Sequence, residues 1–156
     1  MLLYEDILEC GERPLVEPSE EKAPAARPAV RASISSKGTR VLIVESDPAS
    51  LEALREMCAI LGYLASEART VAEANAELSR SRPRCLLLAM MLPDGSGVKI
   101  LREIREKYLP IKVAVMFGSS EPRAILDEVN HLRPDGLFLR PLNIPSIASW
   151  LWLANN

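Results

Sequence analysis

The sequence predicts an α/β domain, a doubly wound five-stranded parallel sheet with five helices, preceded by an N-terminal tail. Three observations predict it. From Arg40 onward, short apolar runs alternate with helical periods five times over. The runs "VLIV" and "CLLLAM" are apolar on both faces, as strands covered by helices on both sides must be. The connections are mainly short, and the right-handed crossover rule then leaves a doubly wound sheet as the simplest topology.

The first strand is read at Val41–Val44, "VLIV", which is short and β-branched. Asp47-Pro48 starts the first helix, with proline in its first turn. Leu51, Leu54, Cys58 and Leu61 form its apolar face, and Gly62 supplies a left-handed stop. A weaker second strand follows at 63–68, "YLASEA". Thr70 caps a helix whose stripe is Val71, Ala74 and Leu78. "CLLLAM" (85–90) is the third strand, and Val98, Leu101, Ile104 and Tyr108 mark the third helix. "KVAVMF" (112–117) is the fourth strand, and Ile125, Val129 and Leu132 mark the fourth helix. "GLFLR" (136–140) is the fifth strand, and Pro145 opens a last helix through Trp150 and Leu151.

Residues 11–39 are rich in Pro, Ala, Ser and both charge signs, without a sustained apolar period, and read as a flexible linker. Before them, in residues 1–10, Leu3, Tyr4, Ile7 and Leu8 share one helical face and suggest a short docking helix. The domain proper is assigned to 40–156. The 156-residue chain has a formal net charge of −2, which gives no electrostatic reason to expect nucleic acid as partner. No apolar run approaches the ~18–20 residues of a membrane span. The acidic N-terminus lacks the pattern of a signal peptide, and no DNA-binding segment is expected after Asn156. Cys10, Cys58 and Cys85 are scattered, so they are read as reduced thiols of a cytoplasmic protein, the last two in the core. With His131 as the single histidine, expected on the surface, no metal site and no cofactor are predicted.

Functional groups of such sheets gather at the carboxyl ends of the strands. Here those ends carry Glu45, Ser46 and Asp47, then Ala89, then Phe117 and Gly118, then Arg140 and Pro141. No nucleophile with a nearby histidine and no Walker sequence accompanies them, so an enzyme is not predicted. "GSG" (95–97) lacks the third glycine of a phosphate-binding fingerprint, Ile100 standing there, and reads as a turn. Met90 and Met91 read as packing and loop residues.

Three ordered stretches, "VLIVESDP", "LLLAMMLPDGSG" and "PDGLFLRPL", resemble the first strand and acidic turn, the phosphorylation loop and the lysine-proline turn of bacterial two-component receiver domains. The resemblance covers about residues 39–154 and implies the flavodoxin-like receiver fold. In a working receiver an aspartate attacks a phosphoryl group, magnesium held by acids neutralises its oxygens, and a lysine and a hydroxyl contact them. Position by position, the resemblance puts the acidic pair on Glu45 and Ser46, with Asp47 next door, and the nucleophile on Ala89. It puts the hydroxyl on Phe117, the lysine on Arg140 and the switch aromatic on Leu137. These departures imply a degenerate, or pseudo-receiver, version.

Glu45 is expected to pair with Arg140 across adjacent strand ends, the other reading being a weak cation site with Asp47. Phe117 is expected to fill the lost polar site and dry the pocket rather than stack a ligand. The implied function is a phosphorylation-independent interaction adaptor in bacterial signal transduction, with a kinase, regulator or localisation factor as partner. Two alternatives are a small-ligand, cyclic nucleotide-like receptor and an atypical phosphotransfer protein using another acceptor such as Asp94. Receivers commonly dimerise or bind partners through the fourth helix, fifth strand and fifth helix. On that face Leu126, off the fourth helix's stripe, and Trp150 and Trp152 of the last helix are the interface candidates. Trp150 can also cover the sheet with Ile147 and Leu151, and Trp152 can instead cap the end of the core.

Overall fold

The computed structural model describes residues 38–156. The docking segment Leu3, Tyr4, Ile7 and Leu8, Cys10 and all but the last two residues of the expected linker lie outside the described residues. Elements alternate as β1 (Arg40–Val44), α1 (Pro48–Leu61), β2 (Leu64–Ala68), α2 (Val71–Ser81), β3 (Cys85–Ala89), α3 (Val98–Glu106), β4 (Lys112–Phe117), α4 (Arg123–Leu132), β5 (Gly136–Leu139) and α5 (Ile144–Ala154). The strands form one sheet in the order β2-β1-β3-β4-β5. Every pairing is parallel. The reversal of order at β1 and β3 makes the sheet doubly wound, and helices cover both faces: α1 packs on α5, while α3 packs on α2 and α4.

The central strands follow from their composition. All five residues of β3 are buried, and so are Val41–Val44 of β1 and Val113–Met116 of β4. Each buried leucine or valine contributes about 2 kcal/mol relative to exposure. The outer strands are less apolar and less covered: Leu64 opens β2 53 % exposed, and Leu137 and Leu139 of β5 are 49 % and 64 % exposed. Phe138, between those leucines, faces α5 and meets the Trp150 ring edge-on at 6.4 Å.

The helix starts obey local chemistry. Asp47 caps α1 by accepting from Ser50 N–H at 2.9 Å, Thr70 caps α2 from Glu73 N–H, and Asn143 caps α5 from Ser146 N–H. Gly62 ends α1 at φ 85°. The other stops carry no glycine signal: α2 and α4 end on left-handed arginines, Arg82 and Arg133.

Tyr108 departs from expectation. It follows α3 with φ 52° and is 91 % exposed, because the chain leaves the helix before the stripe returns to the core; Ile100 is buried on α3 instead. Leu126 is half-buried, like Ile125, rather than exposed. The third strand stops at Ala89, and Met91–Leu92 then pairs antiparallel with Gly95–Ser96. That small hairpin is the turn expected of "GSG". His131 is exposed, and Cys58 and Cys85 are buried. Burial pushes the Cys58 thiol up to about 12 and that of Cys85 up to about 11.

Candidate functional site

At the carboxyl ends of the strands a cavity of about 430 Å³ is lined by Glu45, Asp47, Ser50, Gly118, Glu121 and Arg140, among others. β1 delivers Glu45 as its first residue past the strand, and Glu45 N–H still donates to Ala68 O at 3.0 Å, which extends the pairing with β2. β5 delivers Arg140 in the same way, its N–H donating to Phe117 O at 3.0 Å. A cis peptide bond joins Arg140 to Pro141.

Glu45 is 2 % exposed, and both its oxygens are engaged. Oε1 takes Arg140 Nη2 at 2.5 Å, and Oε2 accepts from Asp47 N–H at 3.0 Å. Arg140 Nη1 also donates to Ser50 Oγ at 3.5 Å. The ion pair does not join adjacent strands, since β3 and β4 lie between β1 and β5 in the sheet; the length of the arginine side chain spans the gap. Asp47 points to its own helix: the Ser50 backbone and hydroxyl, and to a lesser extent the Arg140 charge, hold its carboxyl below the usual range. Glu121 shifts the other way, raised by burial against the pull of Gly118 N–H and Arg140.

The structure brings Glu45, Asp47 and Arg140 together and leaves the other assigned positions out of the cavity wall. Ser46 is half-buried. Ala89 is wholly buried, in register with Met116 of β4. Phe117 packs against the core and is not part of the cavity wall, where Met91, Pro141 and Leu142 stand beside the charged and hydroxyl groups. Leu137 is exposed on the edge strand. Ser120 and Glu121, in the loop after β4, join the wall although sequence reasoning did not select them; a polar loop after a buried strand was the one signal available.

Asp94, the alternative acceptor, sits elsewhere. Its two oxygens accept from Val71 N–H at 2.7 Å and Ala72 N–H at 3.0 Å, at the start of α2. Those bonds hold its carboxyl below the usual range. Among the interface candidates, Trp152 is 45 % exposed. Trp150 is half-buried and its Nε1–H donates to Asp135 O at 3.0 Å, so much of its indole is used inside the domain. Among the described residues no group of three or more His, Cys, Asp or Glu is placed to hold a metal ion, and no helix is long and apolar enough to cross a membrane.

Comparison with known proteins agrees with this architecture. The fold is similar to a CheY-like receiver domain protein of Methanospirillum hungatei, with a TM-score of 0.70 at 20 % identity, covering 76 % of this chain and 94 % of that one. It is also similar to the receiver domain of a signal transduction histidine kinase from Syntrophus aciditrophicus, with a TM-score of 0.68 at 24 % identity, covering 76 % and 90 %. In sequence, the chain is 32 % identical over 83 residues to the KDP operon transcriptional regulatory protein KdpE of Escherichia coli, covering 53 % of this chain and 36 % of that protein. It is 35 % identical over 86 residues to the response regulator MprA of Mycobacterium leprae, covering 54 % and 38 %. The chain thus spans little more than a third of the length of these curated relatives. The family model for the response regulator receiver domain matches residues 41–146, more than half of the chain, and the chain belongs to that family.

Proposed function

We propose that this domain is a degenerate receiver that works as a protein-interaction adaptor in two-component signalling without being phosphorylated and without catalysing a reaction. The observation that carries the reading is the Glu45–Arg140 pair beside a buried Ala89. A phosphorylated receiver needs an attacking oxygen, a metal held by free acidic oxygens and a cation free to meet the phosphoryl group. Ala89 offers a methyl group, Ser46 offers no carboxylate, and both Glu45 oxygens and the Arg140 guanidinium are already engaged with each other and with neighbours.

Partner binding is assigned to the face of α4, β5 and α5, where Leu137, Leu139 and Trp152 are exposed. Signalling proteins or a second copy are its expected occupants, and Leu3, Tyr4, Ile7 and Leu8 form a further docking segment. In a working receiver a moving hydroxyl and an aromatic remodel this face; with Phe117 and Leu137 at those positions the face stays in one state. A second reading has one observation in its favour: the cavity's 430 Å³ suits a small ligand. The Asp94 acceptor reading is disfavoured by its use of both oxygens at α2.

The test is labelling with radioactive acetyl phosphate in magnesium, with Ala89→Asp alongside. Neither protein should form a base-labile acyl phosphate, because the metal site and hydroxyl stay incomplete in the variant. Stoichiometric labelling of the unmodified chain would overturn the proposal; rapid labelling of the variant alone would show that the pocket retains phosphoryl-transfer geometry.

A further inference from the structure

A larger groove, about 1260 Å³, lies at the opposite end of the sheet, where α2, α3 and α5 end and β3 and β4 begin. Its walls include the aliphatic Leu109, Pro110 and Ile111 and the bases Arg82, Arg84 and Lys112. Two other bases there are already matched. Lys107 pairs with Glu103 at 2.6 Å, and Arg105 binds Asp135 at 3.2 Å and the carbonyls of Leu132 and Arg133. Arg82, Arg84 and Lys112 form no ion pair with any described residue.

Helix dipoles favour bases at helix C-termini, and that accounts for Arg82, the cap of α2. It does not account for Arg84 and Lys112, which stand at the entrances of strands. Lys112 N–H donates to Arg84 O at 3.0 Å, so two cations without an ion-pair partner among the described residues stand at neighbouring strand entrances and both line the groove. Carboxylates of a partner would supply the opposite charge that the described residues do not give them. The aliphatic floor adds apolar contact, and Leu109 and Tyr108 beside it are 37 % and 91 % exposed.

We propose that this groove docks an acidic, apolar-faced peptide segment of a partner protein, with its aliphatic side chains on Leu109 and Ile111 and its carboxylates on Arg82, Arg84 and Lys112. A nucleic-acid strand fits less well. Glu103 and Asp135 also line the groove and repel a continuous phosphate chain, whereas spaced carboxylates avoid them. The proposal is independent of the pocket at Glu45, so either can fail alone.

The test uses the full chain and a fluorescein-labelled synthetic helical peptide with leucines on one face and glutamates on the other. Controls replace its glutamates by glutamine or its leucines by serine, and a labelled single-stranded oligonucleotide provides the competing class. Anisotropy titrations at low and physiological ionic strength should show binding that weakens with salt and falls about tenfold for either control peptide. The same loss is expected for the Arg84→Glu/Lys112→Glu variant and for Leu109→Ser, with melting temperatures unchanged. Absent binding, or equal binding to the charge-reversed variant, would overturn the proposal. Oligonucleotide binding as tight as that of the peptide would also overturn it, in favour of a nonspecific polyanion surface.

Discussion

Glu45 carries its charge in a place where water scarcely reaches, and the Arg140 guanidinium and Asp47 N–H make that tenable. Arg140→Ala strands a buried carboxylate, which costs several kcal/mol in a dry site; with 31 % of the arginine side chain exposed, water recovers part of it. Chemical denaturation should show a loss of about 3 kcal/mol, and Arg140→Lys a smaller one, because lysine keeps the charge without the planar fork. A loss below about 0.5 kcal/mol would mean that the pair contributes no more than a surface contact. Asp94 supports a pH prediction. Its folded-state pKa is depressed, so its stabilising contribution is present above the ordinary value of 3.8 and is lost as pH falls through the lower folded-state value. Asp94→Ala should therefore melt below the unmodified chain at neutral pH, and the two curves should converge at strongly acidic pH.

Elements are held in place by a few close approaches. Gly97 precedes α3, donates its N–H to Met90 O at 2.8 Å, and lies so near the end of β3 that a Cβ there would sit 2.1 Å from Ala89 O. That obstacle is backbone, so it cannot rotate away. Gly97→Ala should cost about 1–3 kcal/mol through displacement of α3 or the strand end, read as a lower denaturant midpoint with an unchanged m-value. The same variant should disturb amide resonances at Ala89, because the loop and the strand end are pressed together there. Helix ends divide by what terminates them. Gly62 announced the end of α1, but Arg82 and Arg133 turn left-handed without any residue preference to announce it. The early exit at Tyr108 is of the same kind.

At the scale of the whole molecule, exposed apolar residues on β5 and α5 form the surface to which partner binding is assigned. Trp152→Ala should leave thermal stability within about 0.5 kcal/mol while weakening self-association or partner binding, measured by sedimentation and by binding to a purified signalling partner. Removal of residues 1–10 should likewise spare the melting temperature and weaken binding. Undiminished binding by Trp152→Ala would remove this face from the proposal, and a large fall in melting temperature on truncation would place residues 1–10 within the fold.

The sequence by itself determined the sheet and its helices. Apolar runs at Val41, Cys85 and Lys112 can be satisfied only by burial on both faces, and the helix starts at Asp47 and Thr70 act within a few residues of themselves. It also made the Glu45–Arg140 pair legible, since strand ends converge and few charges stand on them. Tertiary structure alone decided the rest. Half-burial of Leu126, off the apolar stripe of α4, depends on tertiary surroundings that periodicity does not encode. The open cavity depends on Phe117 turning into the core, and its wall on Ser120 and Glu121 arriving from a loop. The basic groove draws on segments far apart in the chain. The physical reason is range: caps and periodic burial are settled by neighbours along the chain, whereas cavity walls and charge clusters are settled by which distant segments the sheet order brings together.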